Sequence, residues 1–238
     1  MLKNRKKKQE AQTTKQSLVV AVNNRSPVSE QYRTVRTNIQ FSMVDSEFKT
    51  IACTSATPGE GKSTTIANLA VTFAQQGQKV LLVDADLRKP VIHEMMRISN
   101  RFGLTSLITK RATLESAIIP IPKISNLYVL PAGAIPPNPS ELLGSQMMEE
   151  LLVTLSQQFD LILFDTPPVL AVTDAQILGN RCDGALLVLR SHKVEKKELV
   201  KAKELLDQAN VKVIGTVLNG VHSKEMTHSG YYGYGENQ

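Results

Sequence analysis

Apolar residues in this chain fall into short continuous runs, separated by stretches in which they recur at helical spacing. Two of the runs, residues 79–84 and 161–165, each end in a carboxylate. Continuous hydrophobicity indicates strands that are buried on both faces, as in a parallel sheet. Predicted strands and helices alternate along the chain, which predicts an α/β fold: a doubly wound, mostly parallel sheet with helices on both faces.

The predicted elements are as follows. Strands are expected at residues 50–54, 79–84, 127–130, 161–165, 185–189 and 211–218. Helices are expected at residues 27–43, 64–76, 104–108, 114–118, 140–157 and 196–208, with another that begins at 174–178. The proline-rich segment 131–139 is predicted to be a loop.

Residues 56–63, Ala-Thr-Pro-Gly-Glu-Gly-Lys-Ser, have the spacing of a phosphate-binding loop between a strand and a helix. Gly59 and Gly61 let the backbone turn its N–H groups inward, and the helix N-terminus adds partial positive charge. Lys62 supplies a cation for the outer phosphates, and the Ser63 hydroxyl is placed to ligate Mg²⁺. The loop therefore predicts ATP and Mg²⁺ as cofactors. The expected ATP contacts are Thr57, Pro58, Gly59, Glu60, Gly61, Lys62, Ser63 and Thr64.

Three aspartates follow predicted strands: Asp84, Asp86 and Asp165. Ligands of such sheets bind beyond the carboxyl ends of the strands, so these side chains should converge beside the loop. Asp165 resembles a Walker B carboxylate, and we expect Ser63, Asp86 and Asp165 to hold the metal. With Lys62, the three aspartates form the predicted catalytic set. The sequence does not decide whether Asp84 or Asp86 accepts the proton of the attacking group; we assign the base to Asp84.

Composition predicts one domain with two appendages. The chain has 238 residues, of which 42% are hydrophobic, enough for one sizeable core. We expect a flexible basic arm at 1–25, a phosphate-binding domain at 26–222 and a flexible tail at 223–238. Much of the net charge of +6 lies in the arm, which is either solvated or attracted to an anionic membrane face by about 1 kcal/mol per basic residue.

Other classes of protein are disfavoured. No basic pattern typical of nucleic-acid binding is present, so we expect no nucleic-acid partner. No apolar run approaches the roughly 18 residues that span a bilayer, and no apolar stretch directly follows the basic N-terminus. Two cysteines, Cys53 and Cys182, are too few for a disulfide framework. These features favour the cytosol.

The tail contains three of the five tyrosines of the chain: Tyr231, Tyr232 and Tyr234. Neighbouring glycines predict a flexible segment. The phenols are either aromatics of a disordered tail or acceptors for a phosphoryl group, each gaining about −1.5 to −2 charge. Transfer to water would make the protein an ATPase, and transfer to a hydroxyl a kinase. The His-Arg-Asp and Asp-Phe-Gly signatures of eukaryotic-type kinases are absent.

Together these motifs resemble the bacterial tyrosine kinases of capsule and exopolysaccharide synthesis, in their stand-alone cytoplasmic Gram-positive form. The resemblance begins at about Arg25 and also implies the fold of P-loop NTPases of the Min/Par-like group. Besides the tail, the motifs that carry it are Thr-Pro-Gly-Glu-Gly-Lys-Ser at 57–63, Val-Asp-Ala-Asp-Leu-Arg-Lys-Pro at 83–90, Ile-Pro-Pro-Asn-Pro-Ser-Glu-Leu-Leu at 135–143 and Phe-Asp-Thr-Pro-Pro at 164–168.

The resemblance implies autophosphorylation of the tail tyrosines in trans within a ring-shaped homo-oligomer. It also implies a transmembrane polysaccharide co-polymerase as activator, a cognate tyrosine phosphatase, and control of polysaccharide synthesis and export. The chain would then work in the cytoplasm at the inner face of the membrane, associated peripherally through its partner.

Two further assignments come from the resemblance. Glu30, Arg33 and Arg36 match an oligomerisation motif, although their spacing alone fits a solvated Glu–Arg pair on one helix face. Asn219 resembles a residue that reads adenine, and an ordinary Asn-Gly turn is the other interpretation.

Two alternatives remain open. A Min/Par-type partitioning ATPase would share the fold, but Thr57 stands where that group has its signature lysine, and residues 221–238 lack an amphipathic stripe. A non-catalytic, nucleotide-gated adaptor of the polysaccharide machinery is the second alternative. The intact set of Lys62, Ser63, Asp84, Asp86 and Asp165 argues against it.

Overall fold

The computed structural model describes residues 18–42 and 48–221. Within these residues, seven strands form one sheet in the order β3-β4-β2-β5-β1-β6-β7. All neighbouring strands are parallel except β3 and β4. The strands are β1 (Thr50–Ser55), β2 (Val80–Asp84), β3 (Ile119–Pro120), β4 (Leu127–Leu130), β5 (Leu161–Asp165), β6 (Gly184–Arg190) and β7 (Val213–Asn219).

Helices cover both faces of this sheet. In chain order they are α1 (Val19–Val22), α2 (Pro27–Ser42), α3 (Lys62–Gln75), α4 (Ile92–Met96), α5 (Leu104–Ile108), α6 (Leu114–Ala117), α7 (Pro139–Gly144), α8 (Gln146–Gln158), α9 (Asp174–Asn180) and α10 (Lys196–Gln208). The predicted α/β class and mostly parallel sheet are therefore confirmed. None of the helices in the described parts of the chain is both long and apolar enough to cross a membrane.

Two hydrophobic layers hold the helices to the sheet. One layer contains Phe164 of β5 and Leu155 of α8, and the other contains Leu163 of β5 and Phe73 of α3. Neighbouring residues of one strand point to opposite faces, so a strand buried on both sides must be apolar at nearly every position. This requirement explains the continuous apolar runs of the sequence.

The register of the central strands aligns their carboxyl ends. Asp84, the last residue of β2, pairs with Asp165, the last residue of β5. Asp165 also lies opposite Cys53 of β1, two residues before that strand ends. The loops after β1, β2 and β5 therefore leave the sheet at one edge.

One predicted helix is interrupted. Residues 140–157 were expected to form a single helix, but α7 and α8 meet at Ser145, whose backbone is extended with ψ of 158°. The Ser145 hydroxyl oxygen accepts a hydrogen bond from the Met148 N–H at 3.2 Å. Serine is a preferred helix N-cap, so it starts α8 rather than continuing α7. The single-helix prediction was wrong because it used only the apolar spacing.

The amino-terminal region also differs from expectation. Residues 18–25 belong to the arm that was predicted to be flexible, yet α1 lies there with Val20 fully buried. The Val20 N–H donates to Asn68 Oδ1 of α3 at 3.1 Å. Sequence patterns also missed α4 and β3, which are too short for a clear periodicity. Lys3, Arg5, Lys6, Lys7 and Lys8 of the arm, and the whole tail, lie outside the described residues.

Candidate active site

The phosphate-binding loop curls between β1 and α3. Gly59 and Gly61 have φ values of 77° and 96°, which glycine adopts without strain. Gly61 is also closely approached, because an added Cβ would lie 2.0 Å from Asn219 Nδ2. Asn219 itself donates through Nδ2 to the Glu60 carbonyl oxygen at 3.0 Å. The end of β7 thus packs on the loop, although adenine contact by Asn219 stays a prediction.

Glu60 is fully buried and shapes the loop from inside. Its Oε1 accepts hydrogen bonds from the Thr57 N–H at 2.5 Å and the Thr57 hydroxyl at 2.9 Å. Its Oε2 accepts one from the Arg190 N–H at 3.2 Å. These bonds fix the carboxylate against the protein backbone, a role that sequence spacing alone did not suggest.

A second contact that the sequence did not predict comes from the segment after β6. The Lys193 ammonium donates to the Pro58 carbonyl oxygen at 2.5 Å. Lys193 lies 135 positions from Pro58 in the sequence, so no local pattern could have found this contact.

Lys62 lies at the centre of the site. Its Nζ atom is 3.0 Å from Asp86 Oδ2, 3.3 Å from Asp165 Oδ1 and 3.2 Å from Ser63 Oγ. Burial alone would lower the pKa of Lys62, but the charges of Asp165 and Asp86 outweigh burial and raise it. The structure therefore brings together the four side chains that the sequence predicted for phosphate and metal.

Asp84 and Asp165 are fully buried beside each other at the edge of the sheet. Burial, reinforced by the charge of Asp165, raises the pKa of Asp84 to about 8. Burial also raises the pKa of Asp165, although the Lys62 charge and a hydrogen bond from Ser63 oppose the rise. Asp84 Oδ2 accepts hydrogen bonds from the backbone N–H groups of Val91 and Ile92, at 3.0 and 2.9 Å, where α4 begins.

The donor set fits Mg²⁺ bound together with a nucleotide. Asp165 Oδ2 is buried and has no hydrogen-bond partner among the described residues. A buried carboxylate oxygen left in this way is costly, and a cation would satisfy it. Among the described residues, no group of three or more His, Cys, Asp or Glu side chains could hold a metal by itself. P-loop proteins bind Mg²⁺ through side-chain oxygens together with phosphate oxygens of the nucleotide.

The residues of the expected oligomerisation motif lie outside this cluster, on α2. Arg33 pairs with Glu30 on the same helix and also donates to Asn24. Arg36 instead points to α3, where its NH1 donates to the Thr72 carbonyl oxygen at 3.0 Å. Their part in oligomerisation stays a prediction, as does the role of Tyr231, Tyr232 and Tyr234, which lie outside the described residues.

The fold and the loop define a P-loop NTPase. A family model described as "ParA: NUBPL iron-transfer P-loop NTPase" matches residues 47–232. The chain is 52% identical over 212 residues to tyrosine-protein kinase YwqD of Bacillus subtilis (strain 168), covering 88% of each chain. It is 42% identical over 212 residues to putative tyrosine-protein kinase CapB of Staphylococcus aureus, covering 89% of this chain and 92% of that one.

A solved structure gives the same result. The kinase domain of Escherichia coli tyrosine kinase ETK superposes with a TM-score of 0.84 at 36% identity, over 92% of this chain and 84% of that one. Within the ParA-like P-loop NTPases, the chain therefore belongs to the capsular bacterial tyrosine kinases. Its relatives are named kinases, which favours this class over the partitioning ATPases and over a non-catalytic adaptor.

Proposed function

We propose that the chain uses Mg·ATP to phosphorylate Tyr231, Tyr232 and Tyr234 of a neighbouring copy. This modification would regulate the synthesis and export of a capsular or extracellular polysaccharide. One observation carries the proposal: Lys62, Ser63, Asp86 and Asp165 converge within hydrogen-bonding distance at the mouth of a phosphate-binding loop. The kinase names of the relatives support transfer to a tyrosine hydroxyl rather than to water.

Each side chain has a distinct proposed task. Lys62 binds the outer phosphates, and Ser63, Asp86 and Asp165 hold Mg²⁺. When bound, Mg²⁺ neutralises charge on the phosphate oxygens. Loop residues 59–64 provide backbone N–H groups for the phosphates, Thr57 and Pro58 line the same loop, and Asn219 contacts the adenine. Remote binding groups of this kind align donor and acceptor, which is a large part of catalysis in phosphoryl transfer.

Asp84 is the proposed base. It takes the proton of the attacking phenol, while the phenolic oxygen forms a bond to the γ-phosphorus and ADP leaves. Asp86 is already assigned to Mg²⁺, and its Oδ1 accepts a hydrogen bond from the Lys89 N–H at 3.0 Å. Asp84 Oδ1 has no such partner among the described residues. A carboxyl group with a raised pKa is also a stronger proton acceptor.

The proposed partners follow from the family. They are a transmembrane polysaccharide co-polymerase that activates the kinase, a cognate tyrosine phosphatase, and further copies of the chain in a ring. Glu30, Arg33 and Arg36 would form part of the contact between copies. The kinase would work in the cytoplasm, at the inner face of the membrane.

The tail assignment is tested by mapping phosphotyrosine. The purified full chain is incubated with Mg·ATP, alone and with the cytoplasmic segment of a candidate activator, and digested for mass spectrometry. We expect phosphate on the tail tyrosines and its loss when all three are changed to Phe. Tyr128→Phe is the matched control, since Tyr128 is half-buried on β4 and packs its ring against Phe159. Phosphotyrosine that persists in the triple variant would contradict the assignment.

A further inference from the structure

The loop that carries Asp86 has no regular secondary structure to hold it. Residues 85–91, between β2 and α4, form neither helix nor strand. Within the loop, Asp86 Oδ1 accepts a hydrogen bond from the Lys89 N–H at 3.0 Å, and Leu87 is fully buried. The position of the Asp86 carboxylate therefore depends on where this short turn is attached to the rest of the protein.

Arg88 attaches the turn to α9. Its Nε is 2.9 Å from Asp174 Oδ2, and its NH2 is 3.0 Å from Asp174 Oδ1. Asp174 is the first residue of α9 and is fully buried. The planar guanidinium group makes two parallel bonds to one carboxylate, which fixes direction as well as distance. Lysine, a point charge, cannot reproduce this geometry.

Ser140 completes the attachment. Its hydroxyl donates to Asp174 Oδ1 at 2.7 Å, and Arg88 NH2 donates to Ser140 Oγ at 3.0 Å. Ser140 lies in α7, within the motif at 135–143 to which no task has yet been assigned. Arg181 joins α7 to α9 again, donating to the carbonyl oxygens of Ser145 and Gly144 at 2.8 and 2.6 Å. The two helices thus form a common support for Arg88.

We propose that Arg88, held by Asp174 and Ser140, is a positioning residue that sets the place of Asp86 and thereby the affinity of the site for Mg²⁺ in the nucleotide complex. The inference rests on the metal site of the proposed function. It assigns a task to the motif at 135–143, because Ser140 supports Arg88 across a sequence separation of 52 residues. Residues that orient metal ligands commonly change metal affinity or activity 10–100-fold when replaced.

The test measures nucleotide binding rather than catalysis. The full chain is titrated with N-methylanthraniloyl-ADP in EDTA and then, at fixed nucleotide, with MgCl₂. We expect Arg88→Lys to leave the Kd in EDTA unchanged and to raise the Mg²⁺ concentration of half-maximal effect about 10-fold or more. Ser140→Ala should raise it in the same direction by less, because the pair of Arg88 and Asp174 remains. Arg101→Lys is the control for the replacement of an arginine by lysine. The Arg101 guanidinium group lies over the Phe102 ring, 5.3 Å from its centroid.

Several outcomes would overturn the proposal. If the Arg88→Lys variant has a lower Tm but keeps the wild-type Mg²⁺ midpoint, the role of Arg88 is purely structural. If Arg88→Lys does not fold, Ser140→Ala decides, because it leaves the buried Asp174 charge paired; an unchanged midpoint in that variant would reject the inference. Wild-type protein whose nucleotide affinity does not respond to Mg²⁺ would reject the metal site itself. If the nucleotide affinity of the wild-type protein responds to Mg²⁺ and the variants have the same Mg²⁺ midpoint, only the role of Arg88 is rejected.

Discussion

At the residue scale, Lys62 is the central side chain of the site. Its ammonium group bridges Asp86 and Asp165, so one buried cation offsets two carboxylates. The same flexible side chain can reach the outer phosphates once a nucleotide is present. We therefore expect Lys62 to stabilise the site both without and with a bound nucleotide.

We expect Lys62→Met to lower the rate of phosphotyrosine formation by about 100-fold or more. The reason is that the negative charge on the phosphoryl group in the transition state loses its nearest cation. Initial rates with Mg·ATP, followed with a phosphotyrosine antibody, measure the loss. Lys203→Met is the matched control, since Lys203 is exposed on α10, where it pairs with Asp207. Full activity of Lys62→Met would show that this loop is not the donor site.

Asp84 gives a prediction about stability and pH. Its pKa is about 8 in the folded protein and 3.8 in its ordinary state. Between these values the folded state binds more protons than the unfolded state, so the contribution of Asp84 to stability falls as pH rises and levels off above about 8. Asp84 is thus a destabilising residue at neutral pH, as expected for a side chain kept for function.

Asp84→Asn should therefore raise Tm while abolishing phosphotransfer. The gain should be larger at pH 8 than at pH 5, at roughly 2–4 °C for each kcal/mol recovered. Thermal unfolding of the nucleotide-free protein in EDTA measures it. Asp207→Asn, which changes an exposed carboxylate on α10, should show no such dependence. A lower Tm for Asp84→Asn at pH 8 would contradict the assignment of a raised pKa.

At the element scale, α2 is tied to the nucleotide-binding helix α3. Burial raises the pKa of Tyr32 on α2, and its hydrogen bond with Thr65 of α3 opposes the rise. One turn further on, Arg36 donates to the Thr72 carbonyl oxygen. These two contacts attach α2 to α3, one of them in the first turn of α3, where Ser63 lies.

The two arginines of α2 should behave differently. Arg33→Ala is expected to lower the mass of the oligomer with little change in Tm, because its bonds to Glu30 and Asn24 are exposed. Arg36→Ala should lower both the mass of the oligomer and Tm, since this variant also loses an attachment to α3. Multi-angle light scattering and thermal unfolding separate the effects, with Lys203→Ala on α10 as control. An unchanged oligomer mass in a chain that carries both Arg33→Ala and Arg36→Ala would mean that the two arginines make only intrachain contacts.

At the scale of the whole molecule, the question is which copy provides the acceptor. The last strand of the described residues, β7, ends at Asn219 beside the phosphate-binding loop, and Tyr231 follows 12 positions later in the sequence. A fully extended segment of that length spans at most about 40 Å, so reach alone does not exclude transfer within one chain.

A mixing experiment distinguishes the two routes. Chains with Lys62→Met and an intact tail are combined with active chains in which Tyr231, Tyr232 and Tyr234 are Phe. Transfer between copies predicts phosphotyrosine on the Lys62→Met chain, with intact-mass spectrometry identifying the labelled species. Either chain alone serves as control and should remain unlabelled. Absence of label in the mixture, with normal labelling of wild type, would require transfer within one chain.

The sequence by itself predicted the α/β class, the order of the longer strands and helices, and the residues that converge at the phosphate-binding loop. Buried parallel strands must be apolar on both faces, and phosphate binding needs glycine, lysine and serine at fixed spacing, so both leave local patterns. The tertiary structure alone decided that Glu60 lies inside the loop, that Ser145 divides two helices, and that Arg88 reaches Asp174 across 86 positions. These outcomes depend on contacts between distant segments and on backbone geometry, which periodicity and motif spacing do not encode.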